Sequence, residues 1–247
     1  MSAIADAADG AAPRVSVVVP VYDEEGAVAA LAREIHAVLA GERIPHEIVF
    51  VDDASRDRTV AVLEETSADV PTLVVARHER NCGQSAAVAT GFRRARGDVV
   101  VTLDGDGQND PADIPRLLAA LAGADAATGV RTKRHDSFVR RASSRIANGF
   151  RNAVTGDRVV DAGCGIRAVD RRALREVPVF NGMHRFLPTL LRAEGFTVAE
   201  IPVSHRPRTT GRSKYGIGNR LFRGIVDCLA IRWWRARAVP TMRERRP

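Results

Sequence analysis

Short apolar runs alternate with segments of helical periodicity along the first half of the chain. The runs are rich in valine and isoleucine, end in polar residues, and lie at 15–19, 47–51, 72–76 and 99–103. Between them, apolar residues recur at three- and four-residue intervals, which is typical of amphipathic helices, over 24–39, 55–63 and 85–96. Continuous apolar strands alternating with helices predict an α/β fold with a mostly parallel sheet covered by helices on both faces.

Polar residues cluster where these predicted strands end. They lie at 22–24 after the first strand, at 52–53 at the end of the second, and at 104–106 after the fourth. In open α/β sheets, ligands bind beyond the carboxyl ends of the strands. We therefore expect these polar residues to meet in one crevice.

Composition narrows the class of partner. The net charge of +7, with 45% hydrophobic and 27% charged residues, indicates a folded, soluble protein with an anionic partner. Nucleotide phosphates, an anionic membrane surface and nucleic acid all suit that charge. An aromatic content of 5% and the lack of a recognised motif argue against nucleic acid. Cys82, Cys164 and Cys228 lie far apart, which favours reduced thiols in the cytoplasm.

No repeat or low-complexity linker divides the chain, so we predict one large domain over 14–210. Residues 1–13 lack the features of a signal peptide, and we interpret them as a flexible tail. Residues 211–247 are predicted to form a loop and an amphipathic helix with an apolar stripe, namely Ile217, Leu221, Ile225, Leu229 and Trp233. Interspersed arginines exclude a membrane span and favour either a membrane-surface helix or a helix packed on the domain.

The acidic loop after the fourth predicted strand has the composition of a divalent-metal site. Asp104 and Asp106 lie one residue apart, and Gln108 adds a neutral oxygen. Mg²⁺ and Mn²⁺ bind such carboxylates together with substrate phosphates. An EF-hand would need Gly and Glu where Asn109 and Pro115 stand, and neither a Walker A nor a dinucleotide-binding glycine motif is present. The alternative is a polar turn that caps the next helix.

Six segments carry motifs in a recognisable order, namely VSVVVPVYDEE (15–25), EIVFVDDASRDRT (47–59), RNCGQSAAVATGF (80–92), VVTLDGDGQNDP (100–111), DAGCGIRAV (161–169) and HRPRTTGRSKYG (205–216). Together they resemble glycosyltransferase family 2, and specifically the polyprenyl-phosphate glycosyltransferases similar to dolichyl-phosphate mannose synthase. The resemblance covers residues 14 to about 237. It implies a GT-A fold, with a catalytic domain over 14–210 and an acceptor loop at the start of 211–247.

The resemblance also implies roles on the donor side of the crevice. The nucleotide-sugar contacts that it implies are Pro20, Tyr22, Glu24, Asp52, Asp53 and Asp104. It assigns the diphosphate and Mg²⁺ or Mn²⁺ to Asp104, Asp106 and Gln108, and counts the two acids as catalytic. For Asp52, Asp53 and Ser55, capping of a helix is the alternative.

On the acceptor side, the resemblance matches a set of cations and one hydroxyl to the binding of a lipid phosphate, namely Arg131, Arg140, Ser144, Arg212 and Lys214. Arginine forks suit phosphate oxygens, and the alternative for about half of the cations between 131 and 145 is a solvated helix face. Asp161 and Arg131 are counted as catalytic; Asp161 is either a base or a residue that positions Arg167 or the acceptor. His184 either contacts the acceptor or packs.

The implied function is transfer, with inversion, from a GDP- or UDP-sugar to undecaprenyl or dolichyl phosphate at the cytoplasmic face of the membrane. An anionic phosphate acceptor needs no strong base, so orientation and charge neutralisation dominate. The enzyme is expected to attach peripherally to this membrane, and a membrane-embedded protein is a candidate partner. One alternative is a family 2 enzyme that acts on a hydroxyl in polysaccharide or glycolipid synthesis, and another is a non-catalytic nucleotide-binding protein. Donor sugar and oligomeric state are left open.

Overall fold

The computed structural model describes residues 12–132, 138–207 and 217–237, without the side chains of 138–146 and 217–223. Its strands are β1 Val15–Val21, β2 His46–Asp52, β3 Leu73–Arg77, β4 Val99–Thr102, β5 Ala126–Arg131, β6 Arg167–Asp170 and β7 Val198–Val203. Its α-helices are α1 Val28–Gly41, α2 Thr59–Thr66, α3 Gln84–Arg94, α4 Ile114–Ala120, α5 Phe138–Thr155, α6 Arg171–Leu174, α7 Met183–Ala193 and α8 Ile217–Arg237. A short 3-10 helix, Pro111–Asp113, precedes α4.

The strands form one seven-stranded sheet in the order β3-β2-β1-β4-β6-β5-β7. β1 pairs in parallel with β2 and β4, β2 with β3, and β5 with β7. β6 runs antiparallel to β4 and β5. The predicted α/β class with a mostly parallel sheet is confirmed, and the antiparallel strand β6 lies in the second half of the chain, outside the segments that carry the alternation.

Helices cover both faces of this sheet, and each strand feeds two apolar layers. Val17 and Val19 of β1 pack with Ile35 of α1 on one face, whereas Val18 packs with Leu187 of α7 on the other. Successive side chains of a strand point to opposite faces, so a continuous valine run contributes to both layers. Full burial of one such side chain stabilises the fold by about 1.5–3 kcal/mol.

Two helices begin later than the periodicity predicts. The Glu24 N–H donates to Thr59 Oγ1 at 2.9 Å and the Glu24 carbonyl accepts from Ala27 at 2.9 Å, so the chain turns before α1 begins at Val28. The Asp57 carboxylate accepts the Thr59 N–H at 2.9 Å, and α2 begins only at that residue. In both loops, side-chain bonds to the backbone replace helical bonds.

The C-terminal helix packs on the rest of the domain. Cys228 and Ile231 are buried in the apolar layer that includes α3 and α7, and Trp234 packs against that layer. Arg235 donates to the Thr155 carbonyl at the end of α5. Within the described ranges, no helix combines the length and apolar character needed to cross a membrane.

Gly91 lets α3 lie close against β1. A Cβ at Gly91 would overlap the Val18 side chain, whose Cβ and Cγ2 would both be 3.2 Å away. Both residues are buried, so neither can move toward solvent. The missing side chain therefore sets the distance between helix and sheet.

Gly91→Ala is expected to lower the free energy of unfolding by about 1–3 kcal/mol, because the added methyl group must push α3 from β1. Gly149→Ala is the matched control, since Gly149 is also helical but has nothing within 4 Å of an added Cβ. It should be neutral or gain up to about 1 kcal/mol from helix propensity. Urea denaturation measures both variants, and equal stabilities would contradict the close packing.

Candidate active site

β2, β1 and β4 are parallel neighbours, so the polar residues that follow them meet at one edge of the sheet. Val21 pairs with Asp52 in register, and the Asp53 N–H donates to the Val21 carbonyl at 2.9 Å. The Leu103 backbone still bonds to β1, which carries Asp104 to the same edge. The polar strand ends therefore line one crevice.

Asp104 is the first residue after the apolar run 99–103, and several contacts fix its position. Its backbone N–H donates to the Asn109 side-chain oxygen at 3.1 Å, and its carboxylate accepts from the Gln84 amide at 3.0 Å. A Cβ at Gly165 would overlap the Asp104 carboxylate. Glycine at that position allows the loop before β6 to approach the acid.

The carboxylates of this loop form a site that favours a bound cation. Burial raises the pKa of Asp104, and the neighbouring Asp106 charge raises it further, while Arg167, Gln84 and Arg131 oppose the rise. A divalent cation would offset both the cost of burying the Asp104 charge and the repulsion between the two carboxylates. Carboxylate oxygens are also the ligands that Mg²⁺ prefers, so these residues fit the predicted metal.

The segment after β7 is joined to the acidic loop. The Arg206 N–H donates to the Gln108 carbonyl at 2.9 Å, and the Gln108 side-chain nitrogen lies 3.4 Å from the Arg206 carbonyl. A metal contact by Gln108 would therefore use its amide oxygen. An antiparallel bridge pairs Asn109 with His205. His205 thus lies beside the loop; no role was predicted for it, and its sequence signal is its place at the start of the 205–216 motif.

The predicted donor contacts of the first strand lie in the last residues of β1 and just beyond it. Pro20 is buried within β1, and Tyr22 and Glu24 are half-buried beyond it. The Asp23 N–H donates to Ser55 Oγ at 2.9 Å, which ties this strand end to the loop after β2. The position suits a nucleotide contact, and that role stays a prediction.

Asp52 and Asp53 order the loops that line the crevice. Asp52 is fully buried, and both its oxygens lie 3.2 Å from the Ser55 nitrogen. This is a local bond of the capping kind, although α2 begins four residues later. Asp53 accepts the N–H groups of Cys82 at 2.9 Å and Gly83 at 2.7 Å. Their predicted nucleotide role would act in addition to these structural bonds.

Within the described residues, one group of histidine, cysteine and acidic side chains has the spacing of a metal site. Its members are Asp53, His78 and Cys82, whose candidate ligand atoms lie within 4.8 Å of one another. His78 Nδ1 is 2.7 Å from the Asp53 carboxylate and Nε2 is 2.9 Å from Thr90 Oγ1. Both ring nitrogens are thus engaged, and the group is best explained as an anchor for the loop after β3.

Arg131 and Asp161 form a bidentate ion pair. Arg131 Nε lies 2.7 Å from one Asp161 oxygen and Nη2 lies 2.8 Å from the other. Burial alone would lower the pKa of Arg131, but the Asp161 bonds and charge outweigh it and raise that pKa. The side chains are 17% and 6% exposed. Arg131 therefore lies at the site with its guanidinium already paired with Asp161. The predicted roles of Asp161, as a base or as a residue that positions Arg167 or the acceptor, stay predictions.

Arg167 is a buried cation close to the acidic loop. It is 6% exposed, its Nη2 has a long contact of 3.4 Å to the Ala162 carbonyl, and its Nε has no hydrogen-bond partner among the described residues. It pairs in register with Thr102 at the end of β4. Burial lowers the pKa of Arg167, and Cys164 and Asp104 oppose that effect. The guanidinium balances part of the Asp104 charge.

The other predicted acceptor contacts lie outside the described parts of the chain. Arg140 and Ser144 belong to α5 at positions whose side chains are not described. Arg212 and Lys214 fall within 208–216, which is not described at all. The acceptor roles of these residues stay predictions.

Asp161→Asn is expected to lower the free energy of unfolding by about 2–4 kcal/mol, because it leaves the Arg131 charge enclosed without its counterion. The double variant Arg131→Gln/Asp161→Asn should recover at least half of the loss, since two amides can bond to each other. Guanidinium denaturation measures this. A single variant as stable as the unmodified protein would show that the pair is not a structural contact.

Solved structures with the same fold include glycosyltransferases. Glucosyl-3-phosphoglycerate synthase from Mycobacterium tuberculosis, in complex with Mg²⁺ and uridine diphosphate, matches with a TM-score of 0.68 at 18% identity, over 93% of this chain and 81% of that one. A mannosyltransferase from Pyrobaculum calidifontis, in complex with GDP-mannose and Mn²⁺, matches with a TM-score of 0.65 at 22% identity, over 93% and 66%. At these identities the likeness concerns the fold, and the predicted GT-A fold is confirmed.

Curated relatives are much closer in sequence. The undecaprenyl-phosphate 4-deoxy-4-formamido-L-arabinose transferase of Edwardsiella ictaluri (strain 93-146) is 38% identical over 91% of this chain and 70% of its own length. Its namesake from Pseudomonas fluorescens (strain Pf0-1) is 41% identical over 87% and 64%. This chain thus spans about two thirds of their length. The model of the family described as Glycosyl transferase family 2 matches residues 16–178, and the chain belongs to that family, as its motifs predict.

Proposed function

We propose that this protein transfers a sugar from a nucleoside diphosphate sugar to a polyprenyl phosphate, forming a lipid-linked sugar. The observation that carries the proposal is the acid pair of the crevice, Asp104 and Asp106, with Arg131 and Arg167 close enough to act on the Asp104 charge. The relatives are named for undecaprenyl phosphate and 4-deoxy-4-formamido-L-arabinose. That acceptor and that sugar are therefore the first pair to test.

In this proposal Asp104 and Asp106 hold Mg²⁺ or Mn²⁺, with Gln108 and His205 as neighbouring candidate ligands. Complexes of proteins with the same fold contain these cations together with nucleotides, which supports the assignment. The bound cation would neutralise the charge that develops on the leaving diphosphate. The Gln84 amide keeps the Asp104 carboxylate oriented, so the chain presents the acid without further rearrangement.

The reaction joins an oxygen of the acceptor phosphate to the anomeric carbon of the donor sugar. The bond from that carbon to the diphosphate oxygen breaks, and its electron pair leaves with the nucleoside diphosphate. The family resemblance implies inversion at this carbon. A phosphate monoester is already anionic near neutral pH, so the enzyme has to orient two anions and offset their charge. Arg167 provides buried positive charge for that purpose.

The state of Asp161 favours a phosphate acceptor over a hydroxyl acceptor. A hydroxyl needs a general base, and Asp161 is the candidate for that role. Its carboxylate already accepts two bonds from the Arg131 guanidinium and one from the Arg131 backbone N–H, so Asp161 is engaged in a structural ion pair. Transfer to a polysaccharide or glycolipid hydroxyl therefore has less support. The intact acid pair and the membership of an enzyme family likewise disfavour a non-catalytic nucleotide-binding protein.

With Mn²⁺, undecaprenyl phosphate and a labelled donor sugar, the purified protein is expected to produce a labelled lipid. Asp104→Asn and Asp106→Asn should each reduce the rate by at least about 100-fold, because each removes charge that stabilises the transition state. Asp69→Asn is the matched control, because it changes an acid whose side chain is 63% exposed. Asp69 precedes the amino-terminal end of β3, whereas Asp104 and Asp106 lie at the carboxyl ends of the strands. Thin-layer separation of the lipid measures the rate. No labelled lipid, either with the nucleoside diphosphate derivative of 4-deoxy-4-formamido-L-arabinose or with any common UDP- or GDP-sugar, would overturn the proposal.

We also propose peripheral attachment to the cytoplasmic face of the membrane through α8. Val226, Leu229 and Trp233 are 47%, 54% and 65% exposed, and their spacing places them on one face of the helix. Exposed arginines accompany this face, namely Arg232, Arg235 and Arg237. An apolar face with an aromatic ring and flanking cations suits an anionic bilayer surface.

The double variant Leu229→Gln/Trp233→Gln is expected to weaken vesicle binding by at least about 10-fold, because it removes apolar area that the bilayer would bury. Val179→Gln is the matched control, since Val179 is also 65% exposed but lies between α6 and α7. Flotation with phosphatidylglycerol-containing vesicles measures binding. Equal flotation of the double variant and the unmodified protein would exclude this face as the contact.

A further inference from the structure

The start of α7 is fixed to the start of α3 by one hydroxyl group. The Gly182 N–H donates to Ser85 Oγ at 2.8 Å, and Ser85 Oγ lies 2.7 Å from His184 Nδ1. Gly182 has a φ of +101°, and a Cβ there would lie 2.8 Å from an Asp227 oxygen of α8. The position of His184 is therefore defined by contacts with two other helices.

These two bonds favour one tautomer of His184, the one that carries its proton on Nε2. A hydroxyl has one hydrogen to donate, and Ser85 Oγ already accepts the Gly182 N–H. Ser85 is 4% exposed, and among the described residues His184 Nδ1 is the one acceptor within hydrogen-bond distance of its hydroxyl. Nδ1 is then the acceptor, so in the neutral ring the proton lies on Nε2. Burial, followed by the charges of Arg185 and Arg167, lowers the pKa of His184 to about 3, which agrees with a neutral ring.

His184 lies on the side of the crevice that holds the acids. Ser85 directly follows Gln84, whose amide donates to the Asp104 carboxylate. The Arg167 charge acts on both Asp104 and His184. The His184 side chain is half-buried, and no residue in the described ranges hydrogen-bonds to Nε2. The ring therefore presents an Nε2–H donor that none of the described residues uses.

We propose that His184 Nε2–H donates a hydrogen bond to a phosphate oxygen of a substrate in the crevice, and that the residue does not act as a base. This inference rests on the proposed function. Arg167 and Arg185 make the surroundings of the ring positive, although Asp227 lies 3.9 Å from Arg185, so an anionic oxygen is the favoured acceptor. That oxygen belongs either to the donor diphosphate or to the lipid phosphate.

Two substitutions separate this role from a structural one. The His184→Asn side chain can keep an acceptor near the position of Nδ1, and with it the Ser85 bond, but it loses the distal donor. The His184→Gln side chain can place an N–H near the position of Nε2 but gives up the Ser85 bond. A substrate-binding role predicts that Gln is the more active variant, whereas a structural role predicts that Asn is.

His184→Asn is expected to reduce kcat/KM by about 10- to 100-fold, the usual effect of losing a hydrogen bond to a charged group, with its melting temperature nearly unchanged. His184→Gln should stay within a few-fold of the unmodified enzyme. A higher KM for undecaprenyl phosphate would identify the lipid phosphate as the partner. Weaker binding of uridine diphosphate with Mn²⁺, measured by calorimetry, would identify the donor diphosphate. Any result in which Gln does not exceed Asn overturns the proposal.

Wild-type turnover tests the proposed function separately. If the unmodified protein shows no transfer, calorimetry with uridine diphosphate and with farnesyl phosphate still ranks the two variants. Nitrogen-15 NMR of the unmodified protein gives a further readout that does not depend on the folding of any variant. It should show a neutral ring protonated at Nε2, whose signal moves when one of these phosphates is added. A ring protonated at Nδ1, or a signal that neither phosphate moves, would reject the proposal.

Discussion

Two carboxylates in a half-enclosed crevice repel each other, and the surrounding residues are arranged around that repulsion. Asp104 lies two residues beyond the end of β4, and the Asp106 charge adds to the effect of burial in raising its pKa. The neighbours reduce this penalty with an amide from Gln84, the Arg167 guanidinium and a glycine at 165 that leaves room for the acid. A cation that brings a diphosphate would complete the compensation, which is why the donor is expected here.

The reversed strand explains how the second half of the chain reaches this point. If β6 ran parallel to β4, the residue beside the end of β4 would lie at the end of β6, and the chain would first have to cross over the sheet to begin that strand. β6 is antiparallel, so it begins where β4 ends, and Arg167 pairs with Thr102. The preceding loop, with Asp161 and Gly165, is thereby brought to the acids. One change of strand direction supplies the cationic side of the crevice.

Acids of the same type have different functions at this edge, and their neighbours decide which. Asp161 is enclosed by the Arg131 fork, and Asp53 is saturated by backbone N–H groups and His78. Both are buried, and a buried carboxylate without such partners would be costly. Among the described residues, Asp104 has an amide and a more distant guanidinium instead of a direct ion pair. The difference in partners, rather than in residue type, separates structural acids from those that would bind a metal.

The strand and helix pattern, the α/β class, the polar strand ends and the family followed from the sequence, because each depends on residues close together in the chain or on ordered motifs. The starts of α1 and α2 did not, since side-chain bonds to the backbone, one of them between Glu24 and Thr59, 35 residues apart, replace the first helical turns. The Arg131–Asp161 pair, 30 residues apart, and the Ser85–His184 bond, 99 residues apart, are equally invisible to periodicity. The sequence by itself determined that the polar residues at the ends of β1, β2 and β4 meet at one edge of the sheet. The tertiary structure decided which of them are already paired, because the partner of a buried charge is set by packing across the sheet and not by spacing along the chain.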